Sequence, residues 1–376
     1  MGGRARHRLV PLAAAVVAGG LARQGRRLDG RGDDDAGPPP SGPPEVVQLW
    51  GISAVLRADS PGGAAYLKCS TDLFRHEAVL TRALAASMPD VLPDVIAVEP
   101  DEGWLLMRDM GGALLGDVPV EDWAAALGAY VPLQQQWLGR GDELVGHGAF
   151  VRPLSDLAPA VARWSEDDEL LRRLGPELRE RWLRSVPRLV DECWRLAEVG
   201  PGPTLVHGDL HAWNVVRADG GSRYFDWTDA ALSHPFVDLA PFVPRIPSSA
   251  VRHAAYDAYL AGWADHLSPA LLQEAGRLGL VVGCLYVTQT YLEGLPTLMP
   301  GDAGPLAGAD IDWLRRTLDA LDHHLDPRPV DPESLQTRNR SRRGIAADAL
   351  GVLIARLSAG IRWNPGHEHK CRAATS

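Results

Sequence analysis

The sequence predicts an α+β fold in two lobes: a small N-terminal lobe built on an antiparallel sheet, then a larger, mainly helical lobe. Three observations carry this prediction. Short apolar segments separated by turn residues occupy 46–70, the spacing of an antiparallel meander. Helical periodicity dominates from residue 119 onward. A non-helical island rich in polar residues, 203–240, interrupts those helices.

In chain order, Val46–Trp50, Ile52–Ala58 and Ala64–Ser70 read as strands, broken at Gly51 and at Pro61-Gly62-Gly63. A helix follows, starting at Thr71 or Asp72, both good N-caps, and carrying Phe74, Glu77, Ala78, Leu80, Thr81 and Leu84. Asp94–Val98 and Trp104–Met107 read as two more strands, and Gly111-Gly112 as a break. Helices are expected near 120–138, 154–173, 176–198, 248–266, 268–293 and 309–325. Trp123, Trp137, Trp164, Trp182 and Trp194 recur on these segments and read as core. The loop residues Gly139, Gly141 and Asp142, and the Arg-rich helix 172–188, read as solvated surface.

Both ends differ from this body. Residues 1–44 begin with seven arginines and one aspartate up to Gly32, then turn acidic and Pro/Gly-rich. Such sequence buries no core and reads as a disordered tail. Its apolar run Leu9–Ala22 has the shape of a secretory h-region, but is too short to span a bilayer. Residues 327–376 form a basic C-terminal tail in which Ile345, Leu350, Leu353, Ile354 and Leu357 fit one helical face. Its His367-Glu368-His369-Lys370-Cys371 string has metal-ligand chemistry, with no second ligand pair nearby. The expected division is therefore 1–44 tail, 45–110 small lobe, 111–326 helical lobe and 327–376 tail.

The net charge of the whole chain is −10, and the body 33–326 carries about −21. That argues against general nucleic-acid binding and suits a cationic small-molecule partner, although a solvated acidic surface is equally compatible. No membrane partner is expected, and the sequence is silent on oligomeric state. The four cysteines, Cys69, Cys193, Cys284 and Cys371, form no C-x-x-C pair, as expected in a reducing, cytoplasmic setting.

The composition carries one sharper signal. Of 38 basic residues only Lys68 and Lys370 are lysine, and the asparagines are Asn214, Asn339 and Asn364. The body thus keeps one lysine and one asparagine against a strong arginine bias, which points to chemistry at both positions.

Asn214 lies in the island, Leu205-Val206-His207-Gly208-Asp209-Leu210-His211-Ala212-Trp213-Asn214-Val215-Val216. After a turn at Asp219-Gly220-Gly221 come Arg223-Tyr224-Phe225-Asp226-Trp227, so that Val215-Val216 and Tyr224-Phe225 form a hairpin with Asp209, Asn214 and Asp226 at its mouths. The spacing is similar to the H-R-D-x-x-x-x-N and D-F-G strings of protein kinases. Phosphoryl transfer needs one carboxylate to orient the acceptor hydroxyl, which fits Asp209. It also needs a carboxylate and an amide on Mg²⁺, which fits Asp226 and Asn214. Lys68 ends a strand and Glu77 lies on the next helix, the arrangement of a phosphate-binding ammonium held by a carboxylate.

The set L-V-H-G-D-L-H-x-x-N, F-D-W and D-L-A resembles the aminoglycoside phosphotransferase family, which includes choline kinase-like enzymes, over roughly 46–325. The resemblance implies a two-lobed protein-kinase-like fold and an ATP- and Mg²⁺-dependent kinase acting on a small hydroxylated molecule. It implies Asp209 as catalytic base, Asn214 and Asp226 as magnesium ligands, and Lys68 paired with Glu77 as the nucleotide lysine. Leu105–Met110 would be the interlobe hinge, with the backbone of Arg108 and Met110 on adenine. His207 and Asp238 would support the catalytic loop. The phosphate-covering loop is reduced to Trp50-Gly51-Ile52-Ser53, where the amides of Gly51 and Ser53 would serve.

The departures from protein kinases are informative. Gly208 replaces the Arg of H-R-D and no A-P-E follows Asp226, which disfavours a phosphorylation-switched protein kinase. A metal-hydrolase cluster at His207, Asp209 and His211 leaves Lys68, Asn214 and Asp226 unexplained. A catalytically silent binding protein on the same fold is the main rival. His211 reads as structural or acceptor-facing, and Asp229 as acceptor-lining or a turn cap.

Overall fold

The computed structural model describes residues 42, 44–49, 53–60, 62–294 and 308–323. The basic N-terminal run, Gly51, the C-terminal helical face and the His367–Cys371 string lie outside these residues. The architecture is the expected α+β protein-kinase-like one: an antiparallel sheet at the N-terminal end and a helical region behind it.

Strands β1 (Glu45–Leu49), β2 (Ser53–Ser60), β3 (Gly63–Ser70), β4 (Val95–Glu99) and β5 (Trp104–Arg108) form one antiparallel sheet in the order β1-β2-β3-β5-β4. Ser60 pairs with Gly63 to close the β2–β3 hairpin, and the Ser60 hydroxyl donates to the Gly63 carbonyl at 2.8 Å. β3 is the central strand. Leu67, Lys68, Cys69 and Ser70 at its C-terminal end are all buried, so Lys68 lies between Val55 and Leu105 with its ammonium beneath the sheet rather than in water.

The helix after β3 begins later than its N-cap residues suggest. Thr71 makes no side-chain cap, Asp72–Phe74 form a 3₁₀ turn, and helix α1 runs from His76 to Ser87. This delay puts Glu77 in the first turn of α1, 2% exposed and facing β3.

β6 (Ala113–Leu114) follows the hinge and pairs with the later hairpin. Next come α2 (Asp122–Gln135), α3 (Gly141–Gly146), β7 (Phe150–Val151), α4 (Leu154–Trp164) and α5 (Asp168–Glu198). The stretch around Gly141 is therefore a short helix rather than a loop. The expected helix 154–173 breaks at Ser165–Asp167, because the Asp167 side chain accepts from the N–H groups of Glu169 and Leu170 and starts a new helix. The expected boundary near 175 survives as a kink, where Gly175 has φ 72° immediately before Pro176.

The chain then makes β8 (Thr204–Val206), the hairpin β9 (Val215–Ala218) and β10 (Gly221–Tyr224), β11 (Ala231–Ser233) and the short helix α6 (Leu239–Phe242). Helices α7 (Ser249–Gly262), α8 (Pro269–Gln289) and α9 (Ala309–His323) complete the described chain. Tyr224 pairs with Val215, as expected for the island hairpin, and β6 adds to its β9 edge. β11 joins β8 antiparallel and β7 parallel in a third small sheet.

One large apolar core fills the helical region, with Trp137, Trp182, Trp227, Trp263, Tyr130, Tyr224 and Tyr259 fully buried. Trp123 and Trp164 are buried as expected, but Trp194 is 44% exposed on α5, so its helical spacing misleads. The Arg-rich part of α5 is not wholly solvated either: Arg173 pairs with Asp310 and Arg181 with Asp319 and Asp322, tying α5 to α9. Among the described residues, Pro269–Gly294 is the one helix long and apolar enough to cross a membrane; 72% of its most apolar window is buried within the fold, as in a core helix. Gly279 and Gly283 of α8 lie against the carbonyl groups of Phe236 and Val237, where a Cβ would collide. That close approach seats the turn Pro235–Asp238 on α8.

Candidate active site

Lys68 is the meeting point of the two regions. Its ammonium lies 2.7 Å from Glu77 Oε1, 2.6 Å from Asp226 Oδ1 and 2.9 Å from Thr228 Oγ1. These are three acceptors for three N–H donors. Burial disfavours its charge, but the carboxylates of Asp226 and Glu77 outweigh that and raise its pKa above the usual lysine range. Ser70 also donates to Glu77 Oε2 at 3.2 Å, which fixes the glutamate from its other side.

Asp226 follows the end of β10 and is the one non-glycine residue with positive φ (67°) among the described residues. The left-handed conformation costs on the order of 1 kcal/mol and turns the carboxyl back towards Lys68. Although burial opposes its charge, Lys68 and the Thr228 hydroxyl hold its pKa at about 2. Thr228 donates to Asp226 Oδ1 at 2.6 Å. Both bonds fall on Oδ1, and the side chain remains 40% exposed.

Asn214 ends the 3₁₀ turn Ala212–Asn214. Its Nδ2 donates to the Asp209 carbonyl at 3.0 Å, and its own carbonyl accepts from Phe225 N–H at 3.1 Å. The side-chain amide is thereby anchored to the Asp209 loop, while the backbone pairs with Phe225, the residue before Asp226. An amide oxygen and a carboxylate oxygen are hard donors that suit Mg²⁺, which characteristically takes one or two protein ligands and completes its shell with phosphate and water. No group of three or more His, Cys, Asp or Glu able to hold a metal occurs among the described residues.

Asp209 is partly exposed; its Oδ2 lies 3.4 Å from His211 Nε2 and its Oδ1 4.0 Å from Arg245 Nη1. The loop before it is held by Asp238. Asp238 Oδ2 accepts from His207 N–H at 2.8 Å and Tyr130 OH at 2.8 Å, and Oδ1 accepts from Gly208 N–H at 3.0 Å. Gln134 Nε2 adds a bond to Oδ2 at 3.3 Å. Burial pushes the Asp238 carboxyl up to about 6 against those donors. His207 is buried and its pKa lowered by that burial; its Nε2 donates to the Phe225 carbonyl at 2.9 Å and its ring lies on Trp227. His207 thus joins the Asp209 loop to the Asp226 loop, and Asp238 holds the Asp209 loop against α2.

Gly208 has φ 82°, and a Cβ there would run into the Asp229 carbonyl oxygen. This is the physical reason an Arg cannot occupy the position. Burial, then the charges of Asp209 and Asp226, push the Asp229 carboxyl up to about 7. Ser53 opens β2 and is buried opposite Ser70. In the hinge the Arg108 N–H already donates to the Asp94 carbonyl at 2.9 Å, and the Arg108 side chain pairs with Asp94. Met110 follows, half-buried and outside any strand or helix. Sequence reasoning passed over Thr228, Ser70, Gln134, Tyr130 and Arg245. Only Thr228, two residues after Asp226, carried a local signal.

A two-lobed frame, a buried Lys–Glu pair under a sheet and an Asp/Asn/Asp set on a hairpin define a protein-kinase-like phosphotransferase fold. The chain belongs to the phosphotransferase enzyme family, whose model matches residues 48–273. Its structure is similar to a choline/ethanolamine kinase family protein from Mesorhizobium loti, at 19% identity with a TM-score of 0.52, covering 83% of this chain and 93% of that one. It is also similar to the GDP complex of wild-type aminoglycoside 2'-phosphotransferase-IIIa (13% identity, TM-score 0.51, 82% and 97% covered). Choline kinase from Cryptosporidium parvum Iowa II aligns at 12% identity with a TM-score of 0.50, covering 76% and 92%. No curated protein sequence matches the chain.

Proposed function

We propose that this chain is a cytoplasmic kinase that uses ATP and Mg²⁺ to phosphorylate a hydroxyl of a small molecule. The observation that carries the reading is the bond from Lys68 to Asp226, 158 residues apart in sequence. It joins the nucleotide half of a phosphotransfer site to its catalytic half.

In this reading Lys68, steadied by Glu77, binds the nucleotide phosphates. The backbone amide of Ser53 would cover them, together with that of Gly51, which lies outside the described residues. Adenine rests on the hinge at Met110 and Arg108, where the Arg108 amide is already committed to Asp94. Asn214 and Asp226 would hold Mg²⁺, which would neutralise charge developing on the phosphates. Asp209 accepts a hydrogen bond from the acceptor hydroxyl and aligns its oxygen with the γ-phosphorus. The new O–P bond forms as the bond to the β-phosphate oxygen breaks. ADP leaves, and the hydroxyl proton passes to Asp209 and on to solvent. Asp238 and His207 keep the two loops in register so that this alignment is preformed.

Nucleotide turnover with a panel of hydroxylated acceptors, with and without Mg²⁺, tests the proposal. Asp209→Ala is expected to lower kcat by about 10²–10⁴-fold with nucleotide affinity retained. Full activity in Asp209→Ala, or no Mg²⁺-dependent ATP binding by the wild type, would overturn it.

A further inference from the structure

Glu77 ties α1 to the helical region through Lys68, but its neighbour His76 reaches that region directly. His76 is the first residue of α1, and its Nε2 lies 3.1 Å from the Thr228 carbonyl oxygen, 152 residues away in sequence. Its Nδ1 faces a local carbonyl, that of Leu73, at 3.2 Å. The ring stands edge-on to Phe150, with centroids 4.5 Å apart, and a Cβ at Gly148 would collide with His76 Cβ. Phe150 N–H donates to the Ala230 carbonyl at 3.0 Å, so the segments 148–150 and 228–230 that receive the ring are bonded to each other. The Thr228 hydroxyl is in turn bonded to Asp226 and to Lys68. Burial holds the His76 pKa below the usual histidine value, so at neutral pH the ring has one N–H to donate and two carbonyls facing it.

Resting on the phosphotransferase reading, we propose that His76 is a positioning residue, which donates its Nε2–H to the Thr228 carbonyl and so holds α1 against the Asp226 loop while nucleotide is bound. In that reading Lys68 turns to the nucleotide phosphates and Asp226 to Mg²⁺, so the bond between them is given up to the ligand. The His76–Thr228 bond involves neither of those groups and is kept. It fixes Thr228 from the carbonyl side while the hydroxyl of the same residue orients Asp226. Groups held in place before the ligand arrives cost less to order on binding, so the bond acts on the phosphate and metal end of the nucleotide.

The experiment measures dissociation constants for two probes, adenosine and the Mg²⁺ complex of the β,γ-imido analogue of ATP, in the wild type and in His76→Gln, His76→Asn and His76→Phe. Gln offers an N–H donor near the place of Nε2, Asn only near that of Nδ1, and Phe keeps a ring against Phe150 with no donor. His76→Asn and His76→Phe are expected to bind the Mg²⁺ analogue about five- to tenfold more weakly, as for one net hydrogen bond, and His76→Gln to stay within about twofold of the wild type. Adenosine, which carries no phosphate, is expected to bind all four proteins alike. His76→Phe binding the analogue as tightly as the wild type, His76→Asn matching His76→Gln, or an equal loss for adenosine overturns the inference and leaves the phosphotransferase reading in place. Where His76→Phe does not fold, the Gln and Asn variants decide. A wild type that does not bind the Mg²⁺ analogue overturns both.

Discussion

Asp238 accepts the backbone N–H of His207 at 2.8 Å, across 31 residues of sequence. The same carboxylate takes Gly208 N–H, Tyr130 OH and the Gln134 amide, so one side chain holds the entry to the Asp209 loop against α2. Asp238→Ala strands all four donors in a buried site. It is expected to lower stability by about 3–5 kcal/mol and to lower kcat as well. Asp238→Asn, which keeps one acceptor oxygen, is expected to lie between. Urea denaturation alongside initial rates checks both, and an Asp238→Ala protein of unchanged midpoint would refute the role.

Lys68 neutralises Glu77, which is 2% exposed, and Asp226. Lys68→Met leaves the glutamate uncompensated, at about 3 kcal/mol, and pushes its pKa, already raised by burial, further up. The double variant Lys68→Met/Glu77→Gln is expected to recover most of that stability and none of the activity. Denaturant midpoints of the single and double variants read the first effect, turnover the second. Restored turnover in the double variant would show that Lys68 acts only as Glu77's counter-ion.

His234 makes the stability pH-dependent. Its Nε2 donates to the Val199 carbonyl at 2.9 Å and its Nδ1 accepts from Phe236 N–H at 3.3 Å, so the ring is held neutral. Burial lowers its pKa from 6.5 to about 4. The unfolded chain therefore binds more protons between those values. The stabilisation is whole above pH 6.5 and is lost as pH falls towards 4, by about 3 kcal/mol. His234→Gln is expected to flatten the stability curve between pH 6.5 and 4. Parallel curves for the two proteins would contradict this.

Gly208→Ala forces a Cβ against the Asp229 carbonyl at a residue of positive φ. The backbone must move just before Asp209, and a displacement of about 1 Å is worth on the order of 100-fold in rate. The expected result is a kcat lowered about that much, with KM for the nucleotide little changed. Steady-state kinetics with varied nucleotide separates the two, and an unchanged kcat would show that the loop has room to spare.

Much of the site was legible because a composition bias acted as a filter. With arginine favoured so strongly, Lys68 and Asn214 stood out before any motif was considered, and both lie within the cluster the fold assembles. The sheet strands were legible from Gly and Pro punctuation. Thr228 carried only local proximity to Asp226, whereas Gln134 and Arg245 carried no signal, because their partners lie far along the chain and a helical Gln or a turn Arg is unremarkable in composition. The break at Ser165–Asp167 was missed because apolar spacing runs through it and only the Asp167 cap interrupts the helix. Trp194 was misread because residue type says nothing about which helix face finds a neighbour.

The isolation of Lys68 has a practical side. The chain holds two lysines, and the other, Lys370, lies six residues from its end. Lysine-selective isotope labelling would therefore give a two-signal ammonium spectrum. One of those signals comes from a nitrogen bonded at once to Glu77, Asp226 and Thr228. The protein carries its own single-atom reporter at the junction of its lobes, with no engineered tag.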